Sequence, residues 1–535
     1  MNIFIPTDLK RLAALFPSDK PLYLVGGYVR NWLLGVNGGD FDVASALSVE
    51  ALHAVAAEHG FSIIPVNPKI GSVLIKNKTF AAEYTSFRVD SYPIGSGAHS
   101  PTEVRFTDDI EEDARRRDFT ANAIYYDIRK EALVDVLNGA EDVKNGVLRT
   151  TDNPERVLSE DGLRIMRMVR LAAETGFAID RDTFETARRL SPRLKDISAE
   201  RIRVELEKTL VADLKYPRLH AAKNQKTDTG ENATAGSGEN LYSGIGGCDG
   251  ENLYPGGGEN LHAGAGRYRD DVFPETGAFF EDLANDEYPS LHERGVRLLC
   301  AVGAIEYVIP RLTDGRGVIQ NQKYHNYDVY GHTMRALRYA PAEIRLAALL
   351  HDIAKPICVQ KYGTMLAHPE VGAEITETIL SALKFPKAVI KETVRLVRLH
   401  MYDLEGNTGT NKLRIFVLEN NDILDKLILL KIADAKASSG ARSVSAERLI
   451  AVRQKMLDEK TPFSLKDLLI DGDDLSAAAV SPQLRSTVLA RLLRLALNDA
   501  SLRTREAQLN RIKSLAAEAE KEMNNAPRPG DKPPV

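Results

Sequence analysis

The sequence predicts an α/β head followed by an all-α body, and three observations predict it. Between residues 20 and 150, short β-rich runs (LYLVGG, FDVAS, FSIIPV, SVLIK, ALVDVL) alternate with turns. From about Asn153 the apolar period lengthens to that of helices and persists almost to the end. The length, 535 residues, exceeds what one hydrophobic core supports, so several domains are expected.

Composition narrows the class. Apolar residues make up 43% and charged residues 27%, as in ordinary soluble proteins. Cys248, Cys300 and Cys358 are far apart, with no pairing or zinc-like spacing, which suits a reducing compartment. The start, MNIFIPTDLKRLAALF, lacks the basic and apolar regions of a signal peptide and reads as a short amphipathic helix. No apolar run approaches the roughly 18 residues needed to span a bilayer, so a cytoplasmic protein without a membrane partner is expected. A net charge of −5 means that contact with nucleic acid must rest on local patches of Lys and Arg. Oligomeric state is not legible.

The head, residues 1–150, carries the strongest signal, LYLVGGYVRNWLLGVNGGDFDVAS. A strand from Leu22 to Val25 enters Gly26-Gly27, a helix bearing Arg30 follows, and a second strand presents Asp40 and Asp42. A period of two puts both carboxylates on one face, where they repel unless a divalent cation lies between them. Hard oxygen ligands beside a phosphate-binding turn suit Mg²⁺. The diglycine lets backbone approach a triphosphate at a helix start, and Arg30 can add charge-assisted contacts. Glu83, in AAEYTSFR, is either a third carboxylate facing the metal or a solvent-facing strand residue.

This run resembles the first motif of the class II tRNA nucleotidyltransferase and bacterial poly(A) polymerase family: Gly26-Gly27, Arg30, Leu33-Leu34-Gly35 and Asp40-x-Asp42. One departure is Asn31, where that family usually has Asp. RRDFTANAIYYD resembles its second motif, with Arg116, Arg117, Asp118 and Asn122. The resemblance implies a nucleotidyltransferase head in which Arg117 contacts the sugar and phosphates of the nucleotide, with Asp118 and Asn122 as weaker candidates. It implies metal-dependent, template-independent addition of CMP and AMP, from CTP and ATP, to the 3′ end of tRNA. A poly(A) polymerase, or an enzyme adding only CC or only A, is the alternative, because the loop 91–103 has His99 near where an Arg is expected.

A helical neck, residues 151–221, is expected next. Asn153 can cap a helix, Pro154 suits its first turn, and Gly176 can stop it. Within it, SEDGLRIMRMVRLAAETGF resembles the family's Glu-Asp-x-x-Arg motif. Asp161 and Arg164, three apart, are expected on one helical face, with Glu160 four from Arg164. The resemblance implies that Asp161 and Arg164 hydrogen-bond the incoming base, with Arg167 and Arg170 near the nucleotide. An ordinary helical ion pair is the alternative. Gly162 inside a helix costs about 1 kcal/mol relative to Ala, which close approach of backbone to a ligand would explain.

Residues 222–270 repeat Gly-Glu-Asn at Gly230, Gly238, Gly250 and Gly258 and are expected to be a disordered insertion of tolerated length; a partner-binding tract is the lesser alternative. A helical body (271–324) leads to residues 325–440, where His332, His351-Asp352, His368, His400 and Asp434 occur in the order seen in the HD phosphohydrolase superfamily, which they resemble. Imidazole and carboxylate ligands suit Mn, Ni, Fe or Mg more than a structural zinc. The resemblance implies a metal site on His332, His351, Asp352 and Asp434, with His368 and His400 for a second ion. That domain is either an active phosphohydrolase, even the main activity with the head as an RNA-binding module, or a scaffold for tRNA. Residues 441–520 are expected to be a helical tRNA-binding region, where TPFSLKDLLIDGDDL resembles HD-containing family members, and 521–535 a disordered tail.

Overall fold

The computed structural model describes residues 3–36, 38–92, 101–216, 290–321, 325–438, 440 and 442–525. The Gly-Glu-Asn tract, Cys248 and His99 lie outside the described residues. The chain divides into two compact units, Met1–Val308 and Ile309–Val535.

The first unit opens with α1 (Thr7–Ala14), the amphipathic helix expected, which buries Leu9 and Leu12. The head follows as β1 (Tyr23–Val25), α2 (Gly27–Leu33), β2 (Phe41–Ser45), α3 (Val49–Ala57), β3 (Ser62–Asn67), β4 (Ser72–Lys76), β5 (Ala81–Ser86), β6 (Arg88–Ser91), β7 (Glu103–Phe106), α4 (Ile110–Arg115), β8 (Tyr125–Asp127) and β9 (Ala132–Val134). Seven strands form one mixed sheet in the order β3-β4-β5-β2-β1-β8-β9. The run ALVDVL yields only the three-residue β9, paired with β8 at the sheet's edge. In the middle of the sheet, Val25, Ala44, Phe87, Ala114 and Tyr125 pack into one buried cluster. That burial fixes the register of β1 and β2, because a one-residue slip would turn their apolar side chains to the opposite face.

The neck begins after α5 (Gly139–Asn145). Asn153 accepts from the amides of Glu155 and Arg156, Pro154 opens α6 (Pro154–Glu160), and Gly176 ends α7 (Leu163–Thr175) at φ 73°. The single helix expected across 154–175 is instead two. Asp161 leaves the helix with φ −143° and ψ 107°, and Gly162 starts the next one. A β-carbon on Gly162 would lie 3.3 Å from the Arg193 carbonyl oxygen, so close approach of protein backbone, rather than of a ligand, accounts for the glycine. Helix α7 is buried on most sides by α9 (Ala199–Leu210), which follows α8 (Arg181–Leu190), and by the helix Leu291–Ala301.

The second unit is helical throughout its described residues. Helices Val329–Tyr339, Arg345–Leu350, Lys387–Leu399 and Leu424–Ser438 pack around Ile344, Ala348, Leu396, Leu424, Leu427 and Leu430, and His368–Ala382 packs against Lys387–Leu399. A separate cluster, including Leu475, Val488, Leu492 and Ile512, holds the C-terminal helices. The last of them, Arg505–Asn525, runs past the boundary at 520 expected from sequence. No helix of the described residues is long and apolar enough to cross a membrane. Cys300 and Cys358 are buried.

Candidate active site and metal centre

The diglycine turn and the Asp-x-Asp strand meet at the centre of the sheet. Asp42 pairs with Val25 on its antiparallel side and with Glu83 on its parallel side. Gly26 follows Val25 directly and adopts φ 79°, a region open to glycine but strained for other residues. A β-carbon there would lie 3.3 Å from Asp42 Oδ2, so the carboxylate rests against the bend. Asp40 is exposed at the entry to β2. Burial pushes the Asp42 carboxyl up to about 6; Arg117 opposes the rise, Glu83 and Asp40 add to it, and Arg167 opposes it again. Glu83 therefore lies beside Asp42, with one oxygen accepting from Ser72 Oγ at 2.8 Å. The head carboxylates are not among the groups of three whose ligand atoms all fall within 4.8 Å; both such groups found among the described residues are in the second unit.

The arginines divide into two sets. Arg117 and Arg167 both act electrostatically on Asp42, so they supply positive charge to its surroundings. Arg117 is braced by Asp113 at 3.0 Å and by the Tyr125 hydroxyl at 3.0 Å. Asp113, fully buried one turn before the RRD run, also takes Arg116 at 2.7 Å. Arg167 is held by Asp118 at 2.6 Å, and Asn122 donates to Asp118 at 3.2 Å. Burial disfavours the Asp118 carboxylate, but Arg167 and Asn122 outweigh it and hold its pKa far below the usual range.

Two arginines expected near the phosphates face protein instead. Arg30 is 4% exposed, with its guanidinium donating to Asn122, to Asn31 and to the Tyr216 hydroxyl. It braces the turn from behind. Asn31, the family departure, accepts from Arg30 and donates to the Gly38 carbonyl at 3.3 Å, a pairing that an aspartate could not make. Arg170 spends its donors on Glu205 at 2.6 Å and Glu174 at 2.9 Å, tying α7 to α9.

The expected base-reading pair is also arranged differently. Arg164 donates to the Val157 carbonyl, to Glu160 and to the Arg116 carbonyl, each within 2.9 Å. The Asp161 carboxylate caps Leu163 N at 3.0 Å and takes Arg201 at 2.7 Å. The helix break between them is the cause, because Asp161 no longer follows the helical path that would stack it under Arg164. Beside this group stands half-buried Tyr92, whose phenol is pushed up to about 12 by burial, Arg164 opposing and Asp90, Glu160 and Asp161 adding to the rise. A cavity of about 730 Å³ between α6 and α8, lined by Asn153, Glu155, Glu185 and Arg189 among others, includes none of the expected site residues.

In the second unit the expected ligands converge. His332, His351 and Asp352 form one group and Asp352, His368 and His400 another, so Asp352 is common to both. His332 Nε2 is 3.2 Å from His351 Nε2 and 3.0 Å from Asp434 Oδ1. His368 Nε2 is 3.1 Å from His400 Nε2 and 3.3 Å from Asp352 Oδ1. Nδ1 of His351, His368 and His400 lies 2.7, 2.7 and 2.6 Å from the carbonyls of Ala348, Met365 and Val397. Donation there leaves each Nε2 with its lone pair directed inward, the arrangement that a metal ligand requires. This donor set fits one or two divalent ions. Lys355, missed from sequence although it lies three residues after Asp352, places its ammonium 2.7 Å from Asp352 Oδ2 and 2.7 Å from Gln320 Oε1.

Comparison with known proteins matches this layout. Residues 22–149 match the poly A polymerase head domain, 176–216 the probable RNA and SrmB-binding site of polymerase A, and 325–438 the HD domain. An A-adding tRNA nucleotidyltransferase of Deinococcus radiodurans is 26% identical over 490 residues, 88% of this chain and 90% of that protein. The chain carries a poly A polymerase head domain and an HD domain, and along most of its length it is similar to a tRNA nucleotidyltransferase. A CCA-adding enzyme of Geobacillus stearothermophilus is 38% identical over 188 residues, 35% of this chain and 45% of that protein. The chain thus spans about half the length of such CCA-adding relatives. The crystal structure of the Bacillus stearothermophilus CCA-adding enzyme in complex with CTP aligns over 97% of this chain and 98% of that one, with a TM-score of 0.57 and 20% identity, a likeness of fold.

Proposed function

We propose that the chain adds nucleotides to the 3′ end of tRNA without a template, completing or repairing the CCA end from CTP and ATP, in the cytoplasm. The observation that carries this reading is the Asp42 carboxylate resting against the Gly26 bend with Glu83 beside it. Asp40 and Asp42 are the ligands we assign to Mg²⁺, with Glu83 as a third carboxylate. A divalent ion held there supplies neutralisation of the triphosphate and of the attacking 3′-oxygen. Gly26-Gly27 let the triphosphate approach backbone at the start of α2. Arg117 and Arg167 offset phosphate charge, while Asp118 and Asn122 hold Arg167 in place. Asp161, with Arg164 and Glu160 behind it, reads the Watson–Crick edge of the base.

Asp40→Ala tests this reading: it is expected to abolish incorporation of CMP and AMP into tRNA transcripts while leaving the circular dichroism spectrum unchanged. Incorporation at the wild-type rate would overturn the assignment of the head.

A-addition alone is a second reading, favoured by the relative that aligns along nearly the whole chain, an A-adding enzyme. Transcripts ending at the discriminator base, at C and at CC, each offered CTP or ATP, separate the two, and long A tails would point to a poly(A) polymerase. For the HD unit we propose phosphohydrolase activity on terminal or 2′,3′-cyclic phosphates of RNA, supported by the inward-facing Nε2 atoms around Asp352. Mn, Ni, Fe or Mg are the ions that such a mixed imidazole and carboxylate set accepts. Metal-dependent phosphate release that disappears in His351→Ala is the expected result; a rate unchanged by that substitution would leave the unit as a tRNA scaffold.

A further inference from the structure

Arg201 lies in the first turn of α9, inside the segment matching an RNA-binding region. A cation in the first turn of a helix opposes the helix dipole, so local stability does not favour it there. Its guanidinium reaches 40 residues back along the chain to Asp161, at 2.7 Å. The other Asp161 oxygen is committed to the amide of Leu163. Both oxygens are thereby fixed in direction at a point where the backbone has left the helix. Arg164 cannot provide this alignment, since it is 8% exposed and bonded to two backbone carbonyls and Glu160. The Arg201 side chain, in contrast, is 41% exposed, and the Asp161 side chain is 14% exposed. An exposed guanidinium fork beside an oriented carboxylate presents donor and acceptor together, the pattern needed to tell one base edge from another.

We infer that Arg201 is a specificity-determining residue: it orients the Asp161 carboxylate for base selection and so ties nucleotide choice to the RNA-binding segment. The inference rests on the proposed base-reading role of Asp161. A salt bridge between α9 and the α6–α7 junction also couples the two functions, because RNA that draws on Arg201 alters the acceptor seen by the nucleotide.

The test measures kcat/KM for CTP, ATP, UTP and GTP on the same tRNA transcripts, with wild type, Arg201→Gln, Arg201→Lys and Asp161→Asn. Arg201→Gln is expected to lower discrimination against UTP and GTP at least tenfold, and Arg201→Lys to lower it less, since an ammonium offers one point contact instead of a fork. A weakened grip on tRNA alone would reduce all four values in proportion and leave their ratios intact. Ratios unchanged in Arg201→Gln, but altered in Asp161→Asn, overturn the inference and leave base reading by Asp161 standing. Ratios unchanged in both variants overturn base reading by Asp161 and this inference with it. If Arg201→Gln does not fold, the Arg201→Lys ratios decide in the same way.

Discussion

Asp42 and Glu83 face each other across the parallel β2–β5 pair, and only Asp42 also touches the diglycine bend. The asymmetry has a consequence for pH. With its folded value raised to about 6 from an ordinary 3.8, Asp42 binds its proton more tightly in the folded chain. Metal-free protein gains stability from this group below pH 3.8 and loses that gain as pH rises through about 6. A cation must displace the same proton. The Mg²⁺ concentration giving half-maximal incorporation is therefore expected to rise about tenfold per unit of pH below 6 and to level off above it. Magnesium titrations between pH 5 and 8 check this; a flat response across that range would contradict it.

Gly26→Ala is expected to damage both the turn and the carboxylate. Gly26 has φ 79° and ψ −142°, a backbone region almost confined to glycine that costs an alanine about 1–3 kcal/mol, and the new methyl meets Asp42 Oδ2 at 3.3 Å. Thermal unfolding should report a lowered midpoint, and incorporation should fall by far more than the stability loss explains. Equal activity at a temperature where the variant is folded would show that the bend does not seat a triphosphate.

The chain Tyr216, Arg30, Asn122, Asp118, Arg167 links α2 to α7 through successive hydrogen bonds. Asn122→Ala removes the middle partner from both Arg30 and Asp118. Because a half-satisfied buried network loses more than one bond, kcat/KM for both CTP and ATP is expected to drop about a hundredfold, as when positioning is lost without loss of a reacting group. Steady-state kinetics with each nucleotide check it, and a loss confined to one of them would point to base reading instead.

Legibility from the sequence followed how far away each partner lies. The Asn153 cap, Pro154, the Gly176 stop and the Gly26 bend all depend on neighbours within a few residues, and each is where local pattern placed it. For Arg30, Arg170 and Arg164 the deciding partners lie far away in sequence. Whether an arginine faces a ligand or a carboxylate depends on Tyr216, Glu205 and the Arg116 carbonyl, which lie 186, 35 and 48 residues away. The break at Asp161 was missed because Leu163–Thr175 continues the apolar period of the preceding helix with little interruption. Arg201 and Lys355 carried no signal beyond charge, apart from the three-residue spacing of Lys355 from Asp352.

In the HD unit, Asp352 belongs to both ligand groups, whereas His332 and His368 belong to one each. Elemental analysis of purified protein loaded with Mn²⁺ should give a lower stoichiometry for His332→Ala and for His368→Ala, and the lowest for Asp352→Asn. If Asp352→Asn retained as much metal as either histidine variant, the carboxylate would not be shared.

Lys431 donates to the carbonyls of His400 and Tyr402, both at 2.6 Å, from the helix that bears Asp434 three residues on. Lys431→Met strands two buried acceptors at the end of the Lys387–Leu399 helix. Loss of metal through the His368 and His400 side first, with nucleotide addition by the head unchanged, is the expected result of metal and incorporation assays.

In the HD unit, three imidazoles each set Nδ1 against the carbonyl of the residue three positions earlier: Ala348 for His351, Met365 for His368, Val397 for His400. The choice of which ring nitrogen carries hydrogen is thus written into a single turn of backbone, independent of any distant neighbour. Substitutions that reshape the surrounding helices can widen or narrow the gap between these rings, but they leave every ring presenting the same atom. The identity of the bound ion can accordingly drift with the spacing of the helices while the chemistry of its donors stays constant.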